Sequence, residues 1–187
     1  MDETSRTTLK LAAQGLQQGE RLRLRVSGAS MAPLLRPGET VVAAACQPEE
    51  LQIGDLVLIR RGADLVTHRL IGREVQGWIT KGDGSPWADP PAAADCLLGR
   101  AVALESADRR IPFDTRAWMD RSRLAGRIGW AEHRLLGWLK PPSGALRGWR
   151  RMFVGLGRAP FWAAYTIIAA LDRRDYGRIG SVPHPGE

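Results

Sequence analysis

"LQIGDLVLIRRG", residues 51–62, opens on a turn around Gly54 and Asp55 and runs into an apolar strand. The same form precedes it in "RPGETVVAAAC", 36–46, where Pro37 and Gly38 make the turn and small apolar residues follow. Further out, "RLRLRV" (21–26) alternates strictly, the pattern of a half-buried strand. "DLVTHRLIG" (64–72), "GWITKGDG" (77–84) and "LLGRAVALES" (97–106) are three more candidate strands. No helix-length apolar pattern interrupts residues 40–112. Short strands between Gly and Pro turns predict a mainly β body.

The flanks read differently. Leu9, Ala12, Ala13 and Leu16 recur at helical spacing, and Gly19 is placed to stop a short helix. After Pro112, Asp114 is the expected cap of a helix whose apolar stripe is Leu124, Ile128, Ala131, Leu135 and Trp138. Pro141 and Pro142 should end it. Ser143 is the expected cap of a second helix carrying Leu146, Trp149, Phe153 and Leu156, and "FWAAYTIIAALDRRD" (161–175) of a third. The terminal "GSVPHPGE" reads as unstructured. The expected fold is a mainly β domain over 1–112 with an α-helical extension over 113–187.

Charge divides the chain at the same place. Residues 1–112 hold 14 basic and 14 acidic side chains, whereas 113–187 hold 13 and 6 and carry the whole net charge of +7. Five of the seven tryptophans also lie in the extension. With 187 residues, 44% of them hydrophobic, the chain can bury a core and is no disordered segment. Cys46 and Cys96 stand alone, which excludes a Cys-rich zinc site or a disulfide scaffold, and no cofactor is expected. The opening "MDETSRTTLKLAAQG" lacks the basic start and apolar stretch of a secretory signal. "MFVGLGRAPFWAAYTIIAAL" (152–171) has the length of a membrane span, but Arg158 and Pro160 interrupt it. Helices rich in Arg and Trp suit a membrane interface better, or else pack on the body with a solvated basic face.

Chemistry narrows to few residues. Of three histidines, His184 lies in the Pro-rich terminus and His133 on the polar side of a helix. His68 sits inside a strand among apolar neighbours, as either a satisfied core histidine or a general base. Ser30, in "VSGASMAP" (26–33), is either a turn serine or a nucleophile presented on a turn. Asp83 and Asp89, in "TKGDGSPWADPP" (80–91), are turn formers or orienting carboxylates for an imidazole. Lys81 competes as the base, since a lysine dried by burial loses its proton more easily.

In order along the chain stand "VSGASMAP", "LRPGETV", "LQIGDLVL", "THRLI", "ITKGD" and "LLGRAV". This succession resembles the conserved boxes of type I signal peptidases, across roughly residues 21–104. His68 before Arg69, where many bacterial members place a lysine, is similar to the Ser-His variant of endoplasmic-reticulum and archaeal enzymes. The resemblance implies a β catalytic domain of the signal-peptidase and LexA-like kind. It also implies a serine endopeptidase that cleaves signal or leader peptides after small residues. Ser30 would be nucleophile, His68 base, and Asp89 the orienting acid ahead of Asp83, which would support the site. Met31 and Pro33 would fix the nucleophile's turn.

Two departures stand out. Gly28 occupies the place, two before the nucleophile, where many relatives carry a serine that helps hold the oxyanion. Backbone N–H groups, Ser30's among them, would carry that task. Relatives also usually have an N-terminal membrane span, and none is expected here. A self-cleaving repressor shares the "G-x-S-M" turn, but the twenty residues before the first strand are too few for its DNA-binding domain. The expected partners are a precursor peptide with small residues at its cleavage site and, through the basic tail, a membrane surface on a side left open. Nucleic acid is not expected. The alternative is a non-catalytic peptide-binding, membrane-peripheral module built on the peptidase fold.

Overall fold

The computed structural model describes residues 11–62, 64–106, 109–136 and 147–176, with the side chains of the last segment over 157–175. The expectations placed on Leu9, Trp138, Pro141, Pro142, Ser143, Leu146 and His184, and on the side chains of Trp149, Phe153 and Leu156, lie outside the described residues.

Residues 11–17 are helical (α1) and bury Leu16. Gly19 ends the helix at φ 82°, where its N–H donates to the Leu16 carbonyl at 3.0 Å. Seven strands follow: β1 (Leu22–Arg25), β2 (Thr40–Ala44), β3 (Leu56–Arg61), β4 (Asp64–Glu74), β5 (Gly77–Lys81), β6 (Leu97–Ser106) and β7 (Arg109–Pro112). All pairings are antiparallel, in the order β1-β2-β6-β3-β4-β5, with β7 also on β6. The mainly β body expected from the turns is therefore present. Short 3-10 turns at Pro48–Glu50 and Ala94–Cys96 are the helical pieces between the strands.

The extension is two long helices, α2 (Arg116–Leu136) and α3 (Arg147–Tyr176). The cap of α2 is Thr115 rather than the expected Asp114: Thr115 Oγ1 accepts from the Trp118 N–H at 3.3 Å. The two helices expected beyond Ser143 are one, and Pro160 sits inside it. A mid-helix proline forfeits one backbone hydrogen bond. Packing of Phe161, Tyr165 and Ile168 against Ala125 and Ile128 holds the chain helical through it.

The buried face of α2 differs from the expected stripe. Leu124 and Leu135 are 51% and 59% exposed, while Trp118, Ser122, Ala125, Gly129, Glu132 and Leu136 turn inward. The reason is close approach. A Cβ on Gly126 would lie 2.7 Å from the Gly54 nitrogen, so α2 rides directly on the loop before β3. Large side chains have no room at that point, where Ser122 and Gly126 face Gly54.

Both helices join the core of the body. One cluster unites Met31, Leu34, Leu56, Ala101 and Leu104 with Phe113, Trp118 and Ala169. Phe113 and Trp118 stack with ring centroids 3.8 Å apart. Ion pairs add to this: Arg121 meets Asp172 at 2.5 Å, and Arg173 meets Glu39 of the body at 2.8 Å. Part of the tail's positive charge is thus neutralised internally. No helix among the described residues is long and apolar enough to cross a membrane.

Candidate active site

Ser30 stands on the turn between β1 and β2. The neck of that loop is closed by the Val26 N–H donating to Glu39 O (2.8 Å) and the Gly38 N–H donating to Val26 O (2.8 Å). Met31, 2% exposed, plugs the turn into the core, and the Ala32–Pro33 peptide is cis. This apolar anchor leaves Ser30 itself exposed. His68 comes from β4, opposite Val57 of β3. Asp89 lies on the segment that folds back along β5, where its N–H donates to Thr80 O at 2.8 Å and Trp78 pairs with Ala92.

These three elements bring Ser30, His68 and Asp89 into one line. His68 Nε2 is 3.0 Å from Ser30 Oγ, and His68 Nδ1 is 2.6 Å from Asp89 Oδ2. A carboxylate acceptor fixes the proton on Nδ1 and leaves Nε2 to accept from the serine hydroxyl. Thr80 also donates to Asp89 Oδ2 at 2.7 Å, and an Arg61 nitrogen lies 3.2 Å from it. Burial pushes the Asp89 carboxyl up. The His68 and Thr80 hydrogen bonds and the Arg61 charge outweigh burial and hold it below the usual carboxylate range. Asp89 is therefore a standing anion beside the imidazole.

Asp83 takes a different place. Its two oxygens accept from Arg69 Nε (2.8 Å) and Nη2 (2.6 Å) in a buried fork. Arg69 also donates from Nη1 to Gly54 O at 2.9 Å and Ser122 Oγ at 2.7 Å. This cluster ties β4, the loop after β5, the loop before β3 and α2 together.

Lys81 points into the protein. Its Nζ lies 2.7 Å from Glu132 Oε2 of α2, and the two side chains are 1% and 0% exposed. The Tyr165 ring covers the ammonium at 5.2 Å. Burial pulls Lys81 below its ordinary range, against the opposing charge of Glu132. His68, and not Lys81, is hydrogen-bonded to Ser30.

The turn of residues 82–84 lies directly under the serine. The Gly84 N–H donates to Ser30 O at 2.7 Å. A Cβ on Gly82 would fall 2.4 Å from Ser30 O and 3.2 Å from His68 Nε2, so only glycine fits. Gly28, by contrast, has no described residue other than its chain neighbours within 4 Å of an added Cβ.

Several site residues escaped the sequence reading. Arg61 and Thr80 hold Asp89 from other strands and leave no local trace. Glu132, Arg158 and Tyr165 reach the site from α2 and α3. The recurrence of Ser122, Ala125, Gly126 and Gly129 at three- and four-residue spacing was the available signal for that face. No protein-family model matches the chain, and no curated protein matches it. Among the described residues, no cluster of His, Cys, Asp and Glu could hold a metal ion.

Proposed function

We propose that this chain is a serine endopeptidase in which Ser30 attacks, His68 takes the proton and Asp89 orients the imidazole. The observation that carries this reading is the continuous line Ser30 Oγ, His68 Nε2, His68 Nδ1, Asp89 Oδ2, with steps of 3.0 Å and 2.6 Å. In the acylation step the Ser30 oxygen bonds to the scissile carbonyl carbon while its proton passes to Nε2. Collapse of the tetrahedral intermediate breaks the peptide bond, and the same proton leaves on the amine. Water then repeats the path to free the acid.

The six ordered motifs support a signal-peptidase-like fold and a substrate that is a signal or leader peptide with small residues at the cleavage site. A site for an extended peptide is available. β4 pairs with β3 from Asp64 onward but with β5 only from Arg69 to Glu74. Residues 65–67 thus have a free edge among the described strands, next to His68. A substrate added there as a strand would be held by backbone hydrogen bonds and led to Ser30.

For the membrane surface, one observation favours an anionic bilayer. Leu124, Leu135, Ile167 and Leu171 are 51%, 59%, 61% and 41% exposed on the two neighbouring helices. Exposed Arg123, Arg127 and Arg174 flank them. Sedimentation of the full chain with anionic vesicles at low salt tests this, and protein left in the supernatant overturns it.

The test of the peptidase reading is cleavage of a synthetic leader peptide with an Ala-x-Ala-like site, alongside labelling by a fluorophosphonate. We expect Ser30→Ala and His68→Ala each to abolish cleavage with the fold kept. Wild-type protein that neither cleaves nor is labelled at Ser30 would point to the peptide-binding module instead.

A further inference from the structure

The turn of residues 82–84 carries the nucleophile, and its grip comes from the helical extension. Arg158 of α3 donates from Nη2 to the Asp83 carbonyl at 2.7 Å and from Nε to Glu132 Oε1 at 2.9 Å. Glu132 of α2 holds Lys81 through its other oxygen at 2.7 Å. Lys81 in turn donates to Gly82 O at 3.2 Å. One fully buried carboxylate thus bridges two cations, one at each side of the short segment that supports Ser30 O and lies beside the imidazole.

We infer that Glu132 and Arg158 are positioning residues for the Ser30–His68 pair, so that the two helices are part of the reactive site. This rests on the peptidase reading for its catalytic consequence, though not for the geometry. Asp83 stands between two glycines, and a Gly-rich turn has little stiffness of its own. The Arg69 fork holds the Asp83 side chain, and the clamp holds the backbone on either side of it. If Asp83 O is released, the turn shifts and Ser30 moves off the imidazole. A misplacement of about 1 Å at a reacting centre can cost ~10²-fold in rate.

The test compares wild type with Arg158→Met, Arg158→Lys and the double variant Lys81→Met/Glu132→Leu, which removes the sealed ion pair as a unit and leaves Arg158, the partly exposed cation, on the Asp83 carbonyl alone. Two quantities are read on protein shown to be folded by near-ultraviolet circular dichroism. One is the rate of Ser30 acylation by a fluorophosphonate, with kcat and KM for the leader peptide. The other is the low-field proton resonance of His68 Nδ1–H, which reports the imidazole's setting without turnover. We expect Arg158→Met to lower acylation and kcat by about 10- to 100-fold with KM within about threefold, to shift or broaden the resonance, and Arg158→Lys to recover part of both. The double variant should behave like Arg158→Met. Folded Arg158→Met with an unchanged resonance and, where wild type reacts, an unchanged acylation rate overturns the inference. An inert wild type whose resonance still responds to Arg158→Met sinks the peptidase reading alone and leaves the positioning role standing.

Discussion

His68 with Asp89, and Lys81 with Glu132, are two base–carboxylate pairs built on adjoining strands, and they differ in access to water. His68 and Asp89 are 10% and 18% exposed beside an exposed serine. Lys81 and Glu132 are sealed at 1% and 0% under Tyr165. The open pair has a solvent-exposed hydroxyl in hydrogen-bond reach. The closed pair has two cations on one carboxylate and no route for a substrate atom. A basic residue in an ordered motif is thus a candidate base, and burial and partners decide whether it reacts or holds the fold.

The largest expected effect tests the open pair. Asp89→Asn should reduce turnover of the leader peptide by roughly 10³- to 10⁴-fold, since an amide offers the wrong partner to Nδ1. The fold should be kept, because Asp89 is partly solvated and the amide retains the Thr80 contact. Steady-state kinetics with a thermal melt decide it, and a well-folded variant with near-normal kcat would remove Asp89 from the line.

The closed clusters should answer in stability. Lys81→Ala strips one partner from the buried Glu132, and Asp83→Asn strips the fork from the buried Arg69. Breaking a buried pair by removing one partner costs about 3–5 kcal/mol. The Lys81 variant should lie at the low end, since Arg158 still pairs with Glu132. Urea unfolding measures both, and midpoints equal to wild type would mean these pairs are not sealed in solution.

A third pair, Arg121 with Asp172, extends the comparison to pH. Burial, only partly offset by Arg121, raises the Asp172 carboxyl to about 6 from 3.8. The folded state therefore holds this proton more tightly than the unfolded chain. Its contribution is fully present below about pH 4 and is lost as pH rises through about 6. Two pH units correspond to about 3 kcal/mol at most. Asp172→Asn, which cannot ionise, should gain on wild type by up to that amount between pH 4 and pH 7. Parallel stability curves for the two proteins would show that the carboxyl titrates normally.

The smallest expected effect is a gain at the open site. Among the described residues, none but the chain neighbours lies within 4 Å of a Cβ added at Gly28, two residues before Ser30. Gly28→Ser should place a hydroxyl near the developing oxyanion and raise kcat about 3- to 10-fold, a fraction of what a preorganised donor supplies. A kcat equal to or below wild type would mean that backbone N–H groups already complete the oxyanion site.

Much of the fold was legible. Turn residues with short alternating or apolar runs mark β1 to β6, because strand patterning and the turns' need for Gly and Pro are local properties. Ser30, His68 and Asp89 were legible as residue types in ordered motifs. The face of α2 was not, because Leu124 and Leu135 satisfy the helical apolar pattern while the close approach to Gly54 admits only small side chains. The unbroken α3 was hidden by Pro160, whose local cost is outweighed by contacts with α2.

What the sequence by itself determined is therefore the set of strands and turns, the neutral body against the basic tail, and a serine, a histidine and two candidate acids for one catalytic line. What only the tertiary structure decided is which acid faces His68, that Lys81 is locked away, and that α2 and α3 join the core beside the site. The division has one physical cause. Periodicity and turn chemistry act between neighbours in sequence. Burial, desolvation and hydrogen bonds such as that from Arg158 to the Asp83 carbonyl, 75 residues apart, exist only once distant segments have packed.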